Sequence, residues 1–190
     1  MIFIVDGDME RDFIEAICGR RFPIRIIPNG NTVCKERLWK HISTHLRALR
    51  NSHQCAIIWI DHESNPEPID EVISYLKLEC KNELGPGFDL RIGIANKMKE
   101  NWMLADEIAM QNHYGHGYVY DPDYEGSGGK TKIKSFAKKC DDNYLERVDG
   151  VQILRNSCIY RMARNSASAA IFLSQMQGIN CAWFWRNGQQ

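Results

Sequence analysis

Cys55-Ala56-Ile57-Ile58-Trp59-Ile60-Asp61-His62-Glu63 is the stretch that decides the fold. Its first six residues are almost uninterruptedly apolar, the pattern of a strand buried on both faces, which is the habit of parallel sheets covered by helices on each side. The run then stops on an acidic pair, Asp61 and Glu63. Ligands of open α/β sheets bind in the crevice outside the carboxyl ends of the strands. The segment therefore predicts a central strand with carboxylates at the mouth of a site.

The same arrangement occurs upstream, where Ile2-Phe3-Ile4-Val5 runs into Asp6-Gly7-Asp8-Met9-Glu10 and a helix over 11–18 follows, with Phe13, Ile14 and Ile17 at helical spacing. Residues 23–27 form a second strand, closed by the turn signal Pro28-Asn29-Gly30-Asn31. A helix over 35–50 carries Leu38, Ile42, Leu46 and Leu49 inward, and Lys35, Lys40, Arg47 and Arg50 to water. Beyond Asp61, the breaker Ser64-Asn65-Pro66-Glu67-Pro68 leads into a helix over 69–84 stopped by Gly85-Pro86-Gly87. Residues 90–95 read as a strand and 99–112 as one helix with Trp102, Ala105, Ile108 and Ala109 on its inner face.

Strand and helix alternate, so the expected fold class is α/β: a mostly parallel central sheet flanked by helices, in one domain. Its core spans about 1–112, followed by a loop and a helical C-terminal extension over about 113–190. The Tyr-, Gly- and Asp-rich segment 113–129 is long for a connection and reads as a functional loop. Helices over 131–139 and 166–176 complete the fold. Ala182-Trp183-Phe184-Trp185 is too aromatic for a free tail and is expected to bury internally or in a homo-oligomer.

Of the 190 residues 44% are hydrophobic and 25% charged, ordinary globular usage that argues against disorder, and no apolar run reaches the length of a membrane span. With 24 basic and 24 acidic residues the formal net charge is zero, so bulk electrostatics do not mark a nucleic-acid binder. A local basic segment, Lys130, Lys132, Lys134, Lys138 and Lys139, remains suited to phosphate. The seven cysteines are scattered without a zinc spacing and read as reduced, mostly buried thiols. No signal segment follows Met1, so a cytoplasmic location is expected.

Carboxylates at strand ends suit phosphoryl transfer, because Asp- and Glu-held metal ions neutralise charge on the phosphate and activate water. Asp6 and Asp61 are the expected ligands of Mg2+ or Mn2+, with Glu10, Glu63, Glu100 and Asp106 as further ligands or water-orienting groups and Lys130 or Lys132 on the phosphate. Plainer roles compete: Asp8 reads as a helix cap, Glu100 as a first-turn glutamate favoured by the helix dipole, and the lysines as a solvated face. Gly126-Ser127-Gly128-Gly129-Lys130-Thr131 lacks the spacing of an ATP-binding P-loop, having Tyr124 where a glycine is required. The pairs His113/His116 and His41/His45 lack further metal ligands nearby, and no nucleophile elbow occurs.

Three of these segments together resemble the TOPRIM-like proteins, especially small bacterial members related to the nuclease domain of the OLD family. They are Val5-Asp6-Gly7-Asp8-Met9-Glu10, Ile60-Asp61-His62-Glu63 and Glu100-Asn101-Trp102-Met103-Leu104-Ala105-Asp106; Gly129 to Lys132 and the region of Arg164 and Ser168 extend the likeness. Asp6 stands where that family has glutamate, and Glu63 where it has aspartate. The resemblance implies a metal-dependent nuclease acting on DNA or RNA, an effector of bacterial anti-phage defence working with a separate ATPase. Two alternatives are a degenerate, non-catalytic TOPRIM-like module that binds a protein partner, and a PIN- or NYN-type ribonuclease, whose opening strand Val5-Asp6-Gly7-Asp8 also resembles.

Overall fold

Strands and helices alternate as expected in the computed structural model, which describes residues 1–29, 34–49 and 55–179. The chain runs β1 (Ile2–Val5), α1 (Asp8–Cys18), β2 (Ile24–Ile26), α2 (Lys35–Leu49), β3 (Cys55–Asp61), α3 (Ile69–Leu84) and β4 (Asp89–Ala95). Among the described residues these strands form one parallel sheet in the order β2-β1-β3-β4. The sheet grows from β1 toward β2 on one side and toward β3 and β4 on the other. This reversal opens a crevice between the carboxyl ends of β1 and β3.

Alternation along the strands sorts the core into two layers. Ile2, Ile4, Ala56, Ile58, Ile60, Ile92 and Ile94 pack with Leu38, Ile42 and Leu46 of α2 and with Val72 and Leu76 of α3. Phe3, Val5, Ile57 and Trp59 face the other way, onto Phe13 and Ile14 of α1 and onto the C-terminal helices. There Trp59, Trp102 and Phe172 stack with ring centroids 5.2 to 6.1 Å apart. Both faces of β3 are thus covered, as its apolar run requires.

After β4 the helix expected over 99–112 is two helices, α4 (Glu100–Leu104) and α5 (Glu107–Tyr114). Asp106 starts the second by accepting from the Ala109 amide, which is an N-cap in the middle of the expected helix. The break turns Ile108, expected inside, outward to 49% exposure. Segment 113–129 holds a short 3-10 turn (Pro122–Tyr124) and is anchored by buried Tyr118, whose hydroxyl donates to the Leu104 carbonyl at 2.6 Å.

The C-terminal part contains α6 (Gly129–Lys139), a π-helical turn (Glu146–Gly150), α7 (Val151–Asn156), α8 (Ile159–Asn165) and α9 (Ala167–Gln175). The π turn, α7 and α8 carry no clear period in the sequence. Among the described helices none is long and apolar enough to cross a membrane. The described cysteines are free thiols, but Cys34 and Cys140 are exposed and Cys55 half-buried, so fewer are buried than expected. Gly30, Asn31, Arg50 and the aromatic segment 182–185 lie outside the described residues.

Candidate active site

Asp6 follows the last residue of β1, and Asp61 ends β3 beside it; the register pairs Val5 with Trp59. The two carboxylates meet in the crevice although they are 55 positions apart in sequence. Asp6 Oδ2 accepts from the Asp61 amide at 2.6 Å and from Asn29 Nδ2 at 2.9 Å, while the same Asn29 nitrogen donates to the Asp61 carbonyl at 2.7 Å. Asn29, in the loop after β2, therefore ties both strand ends together.

Lys99 sits at the centre of the cluster. Its Nζ lies 2.6 Å from Asp6 Oδ1, 2.8 Å from Asp61 Oδ1 and 3.4 Å from Glu10 Oε1, and the residue is fully buried. Its backbone N–H donates to the same Asp61 oxygen at 2.8 Å. The Trp59 ring centroid lies 5.9 Å from the ammonium, and the negative face of an indole adds to the attraction. Glu10 reaches in from the first turn of α1 by folding over Gly7, where a Cβ would stand only 2.5 Å from Glu10 Oε2. Glycine at position 7 is therefore what lets the third carboxylate close on the cluster.

Glu100 lies beside this cluster, buried, with its Oε1 3.5 Å from the Tyr144 hydroxyl and 3.8 Å from Lys130 Nζ. Lys130 also pairs with Glu146 of the π turn at 2.6 Å and is partly exposed. Lys130 comes this close because Gly129, at the start of α6, presses on α4: a Cβ there would meet Asn101 Oδ1 at 2.2 Å and the Asn101 amide nitrogen at 2.8 Å. Glu63 stands two residues past Asp61 with φ of 56°, its N–H bonded to the Lys97 carbonyl at 2.7 Å.

Electrostatics single out the same groups. Burial pushes Asp61 well above the ordinary carboxylate range, and the Asp6, Glu10 and Glu100 charges push it further, against the pull of Lys99. Burial and then Asp6 raise Glu10, again opposed by Lys99. Burial raises Glu63, with Asp6 adding to it, and burial raises Glu100 against the Lys130 charge. For Lys99 burial works against the charged form, but Asp6, Asp61 and Glu10 outweigh it and hold the ammonium well above the usual lysine value. Once ionised, the three carboxylates leave two negative charges unbalanced by their one ammonium.

Two expected site residues have other partners. Asp106 is fully buried, capping α5 and accepting from the Cys158 amide at 2.6 Å and from Arg161 Nε at 2.8 Å, so its oxygens are committed to holding α5 against α8. Lys132 lies over the Tyr124 ring, 5.6 Å from its centroid. Asp8 is not a cap: Gly7 holds that position, and Asp8 pairs with Arg11 at 2.7 Å. Carboxylates at strand ends do not point to Lys99 or Asn29, which carry an ammonium and an amide. Both stand just past a strand end, as Asp6 does, and that position was a usable signal.

Among the described residues no three His, Cys, Asp or Glu side chains stand ready as a metal-binding group; Asp6, Glu10 and Asp61 close on an ammonium instead. Their chemistry nevertheless suits a hard divalent ion, since all the donors are oxygen and they already surround one cation. The chain matches no protein-family model, no curated protein and no solved structure.

Proposed function

We propose that this chain is a TOPRIM-like, Mg2+- or Mn2+-dependent nuclease that hydrolyses phosphodiester bonds of DNA or RNA, acting in the cytoplasm as the effector partner of a separate ATPase. One observation carries the reading: Asp6, Glu10 and Asp61 converge on a single cation at the β1/β3 crevice with more negative charge than that cation balances. Sites built for catalysis are where burial and like charges raise carboxyl pKa values together. Asp6, Glu10 and Asp61 would hold the ion, with Glu63 and Glu100 at its margin. When bound, the ion supplies charge neutralisation on the phosphate and acidification of water.

The chain's own residues do the rest. Asn29 fixes the separation of the two aspartates. Lys130, partly exposed between Glu100 and Glu146, is the cation placed to meet a phosphate entering the crevice. The resemblance in the segments around Asp6, Asp61 and Trp102 is what suggests nucleic acid and an ATPase partner.

The test is cleavage of plasmid DNA, single-stranded DNA and RNA in Mn2+ and in EDTA. Cleavage is expected in Mn2+ alone, and Asp61→Ala is expected to lower it by more than about 100-fold, the upper end of what loss of a supporting contact costs at a metal centre. Equal behaviour of wild type and Asp61→Ala on all three substrates would sink the catalytic reading. A second reading, a non-catalytic partner-binding module, is favoured by Lys99 itself, whose ammonium already fills the centre of the cluster. It predicts no Mn2+ binding by calorimetry and no cleavage.

A further inference from the structure

We infer that a divalent cation enters this site by exchange: it displaces the Lys99 ammonium from Asp6, Glu10 and Asp61, so that Lys99 is the resident cation of the metal-free site and the positioning residue for its carboxylates. The inference rests on the metal-dependent reading above and adds to it how the ion is admitted.

Space requires exchange rather than addition. The ammonium touches Asp6 Oδ1 at 2.6 Å and Asp61 Oδ1 at 2.8 Å. A Mg2+ or Ca2+ ion bound to the same oxygens would stand at about 2.0–2.6 Å from them, which is the space Nζ fills. The three ammonium donors match the three carboxylates one for one, so none of the three is left outside the ammonium's reach.

The side chain is built to leave. Lysine is a point charge on a flexible four-carbon stem. The Lys99 backbone is held apart from the ammonium through its carbonyl, to which the Trp102 and Met103 amides donate at 3.0 and 3.2 Å, while its N–H shares Asp61 Oδ1 with the ammonium. The start of α4 therefore stays in place when the ammonium swings out. Charge drives the swap in one direction, because a divalent ion balances one more of the three carboxylates than the ammonium does.

The role of Lys99 also explains how a cluster with three carboxylates keeps its shape without metal. A buried set of like charges without a counterion would neutralise or spring apart. Lys99 holds the three carboxylates together and gives way to a stronger cation.

The experiment uses the full wild-type chain. Mn2+ binding is measured by calorimetry, and an amine-acylating reagent is applied in EDTA and in saturating Mn2+, with labelling at each lysine followed by peptide mass mapping. Lys99 is expected to be protected in EDTA and to label at least tenfold faster in Mn2+, while exposed lysines such as Lys139 keep their rate. Mn2+ binding with unchanged Lys99 labelling overturns exchange and leaves the metal reading standing. No Mn2+ binding overturns the metal reading, and exchange with it. Lys99→Arg serves as the second arm: its larger, bidentate cation should be displaced less readily and weaken Mn2+ binding at least tenfold, and equal affinity would count against exchange.

Discussion

Asp6 and Asp106 are both aspartates just past apolar segments, and they do opposite work. Asp6 shares a cation with two other carboxylates, whereas Asp106 spends its oxygens on the Ala109 and Cys158 amides and the Arg161 guanidinium. Removing one partner of a buried ion pair leaves the other uncompensated and costs about 3–5 kcal/mol when both are fully buried. Arg161 is partly exposed, so Asp106→Ala is expected to cost about 3 kcal/mol, including the lost cap. Urea unfolding checks the loss, and Mn2+ affinity of the folded variant should match wild type; a folded Asp106→Ala protein that no longer binds Mn2+ would return Asp106 to the site. Sequence placed Asp106 among the candidate ligands and could not show these partners, because Arg161 and Cys158 lie more than 50 positions away, in and just before a helix without a readable period.

β1 and β3 were legible because each is a short apolar run ended by an acidic residue, and α3 occupies the stretch between its breaker and its stop signal. The short helices were not, since α7 and α8 have six and seven residues and are set by packing rather than by local preference. Between these cases lies the contact of α6 with α4, where the sequence shows Gly128-Gly129 but not which glycine is required. Position 129 is the constrained one: a methyl group there meets the Asn101 amide nitrogen at 2.8 Å, and backbone cannot give way as a side chain can. At Gly128 a Cβ meets only Thr131, at 3.8 Å. Gly129→Ala is therefore expected to cost about 1–3 kcal/mol, the range of core overpacking, and to speed hydrogen exchange of α6 amides ahead of the rest. Gly128→Ala should stay within about 0.5 kcal/mol of wild type. Equal effects of the two substitutions would remove the argument that α6 is seated on α4 and carries Lys130 to Glu100.

Across the whole molecule 24 basic residues face 24 acidic ones, so near neutral pH general charge repulsion adds little slope to stability and the crevice becomes visible in titration. Burial holds Asp61, Glu10, Glu63 and Glu100 above their ordinary values, so from those values upward these groups bind more protons in the folded protein than in the unfolded chain. Stability then falls as pH rises from there. Lys99, raised above the usual lysine value, contributes fully below the unfolded lysine pKa and loses its contribution only in alkali, so it does not change the neutral slope. His45, lowered by burial and by the Arg25 charge, opposes the trend only below about pH 6.5, the ordinary histidine value. Metal-free protein is therefore expected to lose stability in urea unfolding as pH rises above the ordinary carboxylate range of about 4. Asp61→Asn should flatten that slope by removing the most strongly raised carboxyl, and saturating Mn2+ should flatten or reverse it, because a bound cation favours the ionised carboxylates. A slope that Mn2+ and Asp61→Asn both leave unchanged would place its origin outside the β1/β3 crevice and take away the charge imbalance on which the metal reading stands.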